Sequence, residues 1–181
     1  MKLHLGLDIS TSNVGWCILN KDSHELIDAG AIELSKKKCI FDKCKEVRHK
    51  LSSLNILYPI SSISIEENLQ AFRPGFSSAK TIVTLARFNG MVTLMCHDEY
   101  SVKPEFLNVN HARKAVGLKI NRKSDLSTKD QVLEFVKKKL ETFQWPTRTL
   151  KSGVRKGLVI PADSCYDIAD AYVIALASVI E

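Results

Sequence analysis

The sequence predicts an α/β domain in which a mixed five-stranded sheet carries helices on both faces. Three short apolar segments bounded by polar turns open the chain, and later apolar strands alternate with segments of helical spacing. Strands joined by short turns favour antiparallel pairing, whereas strands separated by helices favour parallel pairing, so the sheet should be mixed. Because 181 residues suffice for one core and not for two, we expect residues 1–181 to form a single domain.

The strands are predicted from short apolar runs. The first three runs are LHLGLDI, VGWCILN and HELIDAGAIEL, which the turns STSN and KDS separate closely enough for an antiparallel meander. The fourth run, ISSISIEE, is compact and apolar, and the fifth is EFLNVN. Because a helix separates the third run from the fourth, the first and fourth strands can be neighbours at the centre of the sheet.

The helices are predicted from apolar residues that recur every three or four positions. In the first helix Val47, Leu51 and Leu54 show this spacing, and Pro59 lies beyond its end. A basic loop rich in glycine and proline, QWPTRTLKSGVRKGLVIPAD, leads to the last helix. The predicted helices cover residues 41–57, 78–97, 112–116, 128–143 and a final segment from about Ser164.

The composition favours an intracellular protein with an anionic partner. The chain has 26 lysines and arginines against 20 aspartates and glutamates, and the net charge of +6 makes nucleic acid the expected large ligand. Its five cysteines are odd in number and form no C-x-x-C pair, so neither a disulfide framework nor a zinc site is indicated. No apolar run approaches the roughly 18 residues of a membrane span. We therefore expect a cytoplasmic protein without membrane association.

Two acidic residues are predicted to meet at one end of the sheet. Side chains alternate between the two faces of a strand, so Asp8 lies opposite the leucines of LHLGLDI, on the side of His4 and Gly6. By the same alternation Glu66 shares a face with serines of ISSISIEE. If these strands pair about 4.8 Å apart, the two carboxylates converge.

Two more acids stand at the head of the last helix, in YDIADAYVIALA. Asp167 and Asp170 lie on or close to the helical face that continues toward the core through Ala171, Ile174 and Ala177. An unpaired buried carboxylate is costly, so a positive charge must accompany them. Four acids from three elements suit a hard divalent cation such as magnesium or manganese.

Each acid taken alone also has a structural explanation. Asp167 is favoured by the dipole of the helix N-terminus, where Asp163 or Ser164 resembles a cap. Asp8 precedes a turn of serine and asparagine, and Glu66 can belong to a solvated strand end. Their joint arrangement is what indicates a metal site.

The order and spacing of these motifs resemble the RuvC-type Holliday junction resolvases of the RNase H and retroviral-integrase superfamily. LGLDISTSNVGW resembles the opening strand and turn of that family, SISIEENLQAF its second acidic strand, and YDIADAYVIALA its closing helix. The resemblance extends from residue 3 to about residue 178. It implies an RNase H-like fold, hydrolysis of four-way and other branched DNA junctions, and a homodimer that cuts two opposed strands.

The resemblance also implies two magnesium ions in each active site, for which manganese substitutes. The carboxylates that it assigns as catalytic metal ligands are Asp8, Glu66, Asp167 and Asp170. Lys114 in NHARKAVG and Lys129 in LSTKDQV resemble catalytic lysines that hold the DNA backbone near the cut. The residues expected to contact DNA at the site are Phe72, Arg73, Arg113, Lys114 and Lys129. The loop RTLKSGVRKG is longer than in the bacterial members, and its cations Arg148, Lys151, Arg155 and Lys156 are expected to contact further phosphates.

Some features depart from that family or favour other interpretations. Ile9 and Ser10 follow the first aspartate where bacterial members usually have Pro-Gly, a form that resembles phage and viral relatives. GLDISTSN also resembles the phosphate loop of actin-like sugar kinases and ATPases, which need two such domains. A branched-DNA-binding protein with a nuclease fold and no turnover is the other alternative. A basic run between residues 36 and 50 is a further candidate surface for DNA.

Overall fold

The computed structural model describes residues 2–67 and 79–181, and its main sheet has the five strands that the sequence predicts. The strands lie in the order 3-2-1-4-5 and are β1 (Leu3–Ile9), β2 (Asn13–Asn20), β3 (Leu26–Glu33), β4 (Ile60–Glu66) and β5 (Glu105–Leu107). β1, β2 and β3 are antiparallel, whereas β4 is parallel to both β1 and β5. The predicted mixed sheet is confirmed, and so is the pairing of its first and fourth strands.

The described helices cover both faces of this sheet. They are α1 (Ile40–Leu57), α2 (Ala79–Tyr100), α3 (Val109–Ala115), α4 (Thr128–Lys139) and α5 (Ser164–Ile180). The leucines of β1 form one core with α1 and α2, where Val47, Leu51 and Phe88 are fully buried. On the other face α3, α4 and α5 pack together against β2. The small side chains of β1 face α5, as strand alternation requires.

The basic loop before α5 contains a hairpin that the sequence pattern did not predict. β6 (Thr147–Thr149) pairs antiparallel with β7 (Val159–Pro161). Each strand has three residues, and only Ile160 of the six is not fully exposed. Strands are recognised in a sequence by apolar residues at alternate positions, and a strand exposed on both faces has no such alternation.

Two glycines allow α5 to lie directly on the sheet. A Cβ atom at Gly6 would stand 2.6 Å from the Cβ of Ala175, and one at Gly15 would stand 2.0 Å from the carbonyl oxygen of Asp167. No side chain fits in either place, so the backbones of β1 and β2 contact α5. This contact sets the height of α5 above the sheet.

The cysteines of the protein are mostly buried. All five cysteines are free thiols, and Cys39 is the exposed one. Burial raises the pKa of the Cys17 thiol well above its usual range and that of Cys96 to about 12, so neither ionises near neutral pH. Within residues 2–67 and 79–181, no helix has both the length and the apolar character that a bilayer crossing requires.

His4 of β1 is buried between two serines of β4. Its Nδ1 lies 2.8 Å from the Oγ of Ser62, and its Nε2 lies 2.8 Å from the Oγ of Ser64. Burial, with a smaller effect of the Lys21 ammonium, lowers the pKa of His4 from 6.5 to about 4. The folded protein therefore holds a neutral imidazole at pH values where the unfolded chain holds a charged one.

We expect His4 to make folding stability depend on pH between the two pKa values. The unfolded chain binds the proton at a higher pH than the folded protein does. The free energy of unfolding is therefore unaffected by His4 above about pH 6.5 and decreases as the pH falls toward about 4. The shift in the pKa of His4 corresponds to a decrease of about 3 kcal/mol. Urea unfolding at about pH 7.5 and about pH 4.5 should show that His4→Gln reduces the acid loss of stability. His49→Gln, on the exposed surface of α1, should not. Equal acid sensitivity of the wild type and His4→Gln would contradict this account.

Candidate active site

Asp8 and Glu66 lie side by side at the ends of the two central strands. β1 and β4 run parallel, with Leu7 opposite Ile65. The next residue of each strand is an acid, and burial followed by the neighbouring charge of Glu66 raises the pKa of Asp8. Parallel pairing of these strands thus brings together two carboxylates that are far apart in the chain.

α5 brings two further carboxylates to the same edge of the sheet. Across β1 and β2, Asp8 is paired with Gly15, and the backbone of Asp167 lies against that glycine. Asp170 follows about one helical turn later and is only 9% exposed. The four carboxylates line one cleft of about 320 Å³, together with a fifth acidic residue, Glu67, and the cationic residues Arg113 and Lys129.

Negative charge is concentrated in this cleft. Burial raises the pKa of Asp8 well above its usual range, and the other three carboxylates raise it further. Burial, followed by the charge of Asp170, raises the pKa of Glu66 to about 7. Burial is also the main cause of the raised pKa values of Asp167 and Asp170. A positive charge placed among these groups would stabilise their ionised forms.

Side chains around the cleft supply part of that positive charge. Arg113 Nη2 lies 3.3 Å from Oδ1 of Asp170, and these side chains are 17% and 12% exposed. Asn13 donates a hydrogen bond from Nδ2 to Oδ2 of Asp167 at 3.0 Å. The Lys129 ammonium lowers the pKa of all four acids, against the larger effect of burial. The two cationic side chains neutralise only part of the negative charge of the four carboxylates.

Two short helices hold these cations in place. The side chain of Asn108 caps the N-terminus of α3, the helix that carries Arg113. The hydroxyl of Tyr166 on α5 donates to Oδ1 of Asp130 at 2.7 Å, which ties the first turn of α4 to the head of α5. Lys129 belongs to this first turn, and its ammonium therefore stays close to the acids.

The donors of the cleft fit a hard divalent cation. Among residues 2–67 and 79–181, no three histidine, cysteine or acidic side chains stand close enough to share one metal ion. Asp167 and Asp170 are directed instead to Asn13 and Arg113. The donors are nevertheless all carboxylate oxygens, which magnesium and manganese prefer. Burial and, for Asp8, Glu66 and Asp167, neighbouring carboxylates raise the pKa values of these acids, and a bound cation would stabilise their ionised forms. The carboxylates that would hold it are Asp8, Glu66, Asp167 and Asp170.

The other residues expected to act on DNA have different positions in the structure. Lys129 lines the acid cleft, whereas Lys114 is exposed on α3 and does not line it. The neighbouring Arg113, which is also expected to contact DNA, lines the cleft. Phe72 and Arg73 lie outside the described residues. α3 therefore presents its arginine, and not the following lysine, to the carboxylates.

The cations of the basic loop lie on or beside the hairpin of β6 and β7. Arg148 Nη2 lies 3.0 Å from Oδ1 of Asp163, just before α5. Lys151, Arg155 and Lys156 are exposed in the connection between the two strands. None of these four side chains lines the acid cleft.

Part of the basic run at residues 36–50 has partners within the protein. Lys37 pairs with Glu46, and the ammonium of Lys43 donates to the carbonyl oxygen of Thr11 in the turn between β1 and β2. The ammonium of Lys50 lies 4.3 Å from the centre of the Trp16 ring. The contacts of Lys43 and Lys50 attach α1 to β2 and to the turn before it.

Asn13 is a residue of the site that the sequence argument did not identify. It is the first residue of β2, and in the alternation of NVGWCILN it shares a face with Gly15 and Cys17. That face carries α5, so the alternation alone places the Asn13 amide toward the helix with the two aspartates. The signal was present in the strand pattern, and only the contact with Asp167 had to come from the structure.

The fold and this edge of the sheet define an RNase H-like domain with a cluster of acids. Over 98% or more of this chain, its structure resembles two solved proteins at low sequence identity. The RuvC of Thermus thermophilus in complex with a Holliday junction substrate has a TM-score of 0.66 at 14% identity, over 94% of that chain. The yeast mitochondrial Holliday junction resolvase has a TM-score of 0.58 at 14% identity, over 77% of that chain.

Sequence comparison identifies the family. No protein-family model matches the chain. The crossover junction endodeoxyribonuclease RuvC of Aliarcobacter butzleri is 32% identical over 138 residues, which cover 75% of this chain and 82% of that protein. RuvC of a Sulfurovum species is 25% identical over 138 residues, with 75% and 79% covered. The chain belongs to the RuvC family.

Proposed function

We propose that this protein is a metal-dependent endonuclease that resolves four-way DNA junctions by paired hydrolysis of phosphodiester bonds. The observation that carries the proposal is the convergence of four carboxylates in one cleft of a RuvC-family domain. They are Asp8, Glu66, Asp167 and Asp170. The relatives with the matching sequence are named crossover junction endodeoxyribonucleases, which supports DNA junctions as the substrate class.

In this proposal the acids hold two magnesium ions, or manganese in their place. When bound, the ions supply an activated water for in-line attack and stabilise charge on the departing 3′ oxygen. Asp8 and Glu66 stand on paired strands, so their carboxylates are held on a rigid base. Lys129 extends over the cleft, where its ammonium can hold a phosphate of the cut strand. Lys114 is exposed beside the site, where it would contact the backbone of the DNA outside the cleft.

We also propose that the active form is a homodimer. A four-way junction is nearly two-fold symmetric, and a two-fold dimer presents one active site to each of two opposed strands. α2 is the proposed interface. Its apolar side chains Val83 and Leu94 are 48% and 60% exposed, and contact with a second copy of the chain would bury them. Sedimentation at several protein concentrations would measure the association.

Labelled substrates test the proposed function directly. We expect symmetric nicks in a four-way junction with magnesium and none after EDTA is added, because the carboxylates alone provide no activated water. Duplex DNA of the same sequence should stay intact. Comparable cutting of flaps and forks would indicate a broader debranching nuclease. Junction binding without cleavage would indicate an inactive DNA-binding protein, and ATP binding without DNA cleavage would favour the sugar-kinase-like alternative.

A further inference from the structure

The hairpin of β6 and β7 displays a cluster of cations that has no role in the acid cleft. From residue 147 to residue 162 the chain has four basic side chains and no acidic one. Arg148, at the base, is paired with Asp163. In the described part of the chain no salt bridge involves Lys151, Arg155 or Lys156. An isolated positive surface of this kind is complementary to a polyanion.

The connection between the two strands is an ordered structure. Leu150 donates its backbone N–H to the carbonyl of Leu158 at 3.0 Å, and Gly157 donates to the carbonyl of Leu150 at 2.8 Å. Gly153 and Gly157 have φ values of 80° and 89°, which allow the chain to reverse. Lys151, Arg155 and Lys156 are therefore presented on a defined turn.

The tip of the hairpin also exposes apolar side chains. Val154, between Gly153 and Arg155, has an exposure of 107%, and Leu158 and Val159 are 49% and 58% exposed. A surface that only keeps a protein soluble would have polar residues here. Cations that flank an exposed valine suit a ligand that has both phosphates and apolar surface, such as the sugar and base edges of a DNA groove.

The base of the hairpin adjoins the acid site. The backbone N–H of Ala162 donates to the carbonyl of Pro146 at 2.9 Å, which closes the hairpin immediately before α5. A second cleft of about 500 Å³ lies between this base and the turn that joins β1 to β2. Asn13 lines that cleft and also donates to Asp167 of the acid cleft. The hairpin thus stands beside the site on the same edge of the sheet.

We propose that the hairpin of β6 and β7 is a second DNA-binding element, which holds a duplex arm of the junction beside the acid cleft. Lys151, Arg155 and Lys156 bind phosphates of that arm, and Val154 contacts its groove. The inference rests on the proposed function, because it assumes a DNA substrate in the acid cleft. The hairpin contacts the arm and not the scissile phosphate. It therefore changes the affinity for the junction more than the rate at which the bound junction is cut.

Salt dependence of junction binding distinguishes phosphate contacts from a general loss of charge. The hairpin variant carries Lys151→Gln, Arg155→Gln and Lys156→Gln together. It is compared with a control variant that carries Lys2→Gln, Lys21→Gln and Lys103→Gln together. The control removes the same charge at the opposite end of the sheet, where β1 and β5 begin. Affinity for a four-way junction is measured in EDTA at several salt concentrations, so that no cleavage is required.

The hairpin variant should bind the junction about tenfold or more weakly, and the slope of log affinity against log salt should decrease by about 2 to 3. The control should change the slope by less than about 1. A separate Val154→Ser variant should weaken binding about threefold with an unchanged slope, because it removes no charge. Thermal unfolding should be unchanged in the two hairpin variants, since every altered hairpin side chain is exposed.

The outcomes separate the two proposals. If wild-type protein cuts junctions and the hairpin variant binds them with the wild-type slope, the hairpin inference is wrong and the proposed function stands. If the hairpin variant changes self-association instead of DNA affinity, the surface binds a second copy of the chain and the inference is also wrong. If the wild type neither binds nor cuts junctions, the proposed function itself fails.

Discussion

Asp8→Asn should reduce junction cleavage by about a thousandfold or more while the protein still folds and binds DNA. Asp8 is the acid whose pKa is raised by all three of the other carboxylates, so it lies at the electrostatic centre of the cluster. Asparagine has nearly the same shape and no charge, so it removes the charge of the proposed metal ligand without opening a cavity. Single-turnover cleavage of a labelled junction in magnesium measures the loss.

The same substitution should not destabilise the protein. Because the pKa of Asp8 is raised in the folded state, folding opposes its ionisation, and the stability lost to this effect grows as the pH rises above the ordinary pKa of an aspartate. Asparagine cannot ionise, so Asp8→Asn should be at least as stable as the wild type at about pH 8 in EDTA. Asp22→Asn, in the exposed turn after β2, is the matched control and should leave cleavage and stability unchanged.

The pair of measurements distinguishes a catalytic carboxylate from a structural one. A variant that is stable, binds junctions and does not cut them supports a role in metal-dependent hydrolysis. Cleavage at the wild-type rate would remove Asp8 from the mechanism. A large loss of stability would instead show that the Asp8 carboxyl has a structural role.

The acid cluster was accessible from sequence because strand alternation is a local property. The pattern of LHLGLDI fixes the face of Asp8, and that of ISSISIEE fixes the face of Glu66, before anything is known of the pairing. Only the adjacency of the two strands had to be inferred, and the short turns and intervening helix restrict it strongly. The helical face of Asp167 and Asp170 follows from the apolar residues behind them in the same way.

The cationic residues of the site were harder to predict from the sequence. α3 has only seven residues, so its apolar pattern is too short to show whether Arg113 or Lys114 faces the carboxylates. Successive residues of a helix point about 100° apart. For this reason the guanidinium of Arg113 lines the cleft while the ammonium of Lys114 is exposed. The hydrogen bond from Asn13 to Asp167 joins residues that are 154 positions apart. It forms only because α5 lies close to β2.

Gly15→Ala should disrupt both the fold and the site, because the distance between α5 and the sheet is set at this residue. The added methyl group would stand 2.0 Å from the carbonyl oxygen and 2.4 Å from the carbonyl carbon of Asp167. Both atoms belong to the helix backbone, so no side-chain rotation relieves the overlap and α5 must move. We expect a loss of about 3 kcal/mol or more in the free energy of unfolding, measured with urea.

The displacement should also change catalysis, since Asp167 and Asp170 move with α5 while Asp8 and Glu66 stay on the sheet. A misplacement of about 1 Å can reduce a rate about a hundredfold, so the folded fraction of Gly15→Ala should cut junctions far more slowly than the wild type. Gly90→Ala is the matched control for stability. A methyl group there meets no atom within 4 Å, and in the interior of α2 it should stabilise the protein by about 0.5 to 1 kcal/mol. If Gly15→Ala is as stable and active as the wild type, close contact between α5 and β2 does not hold the carboxylates together.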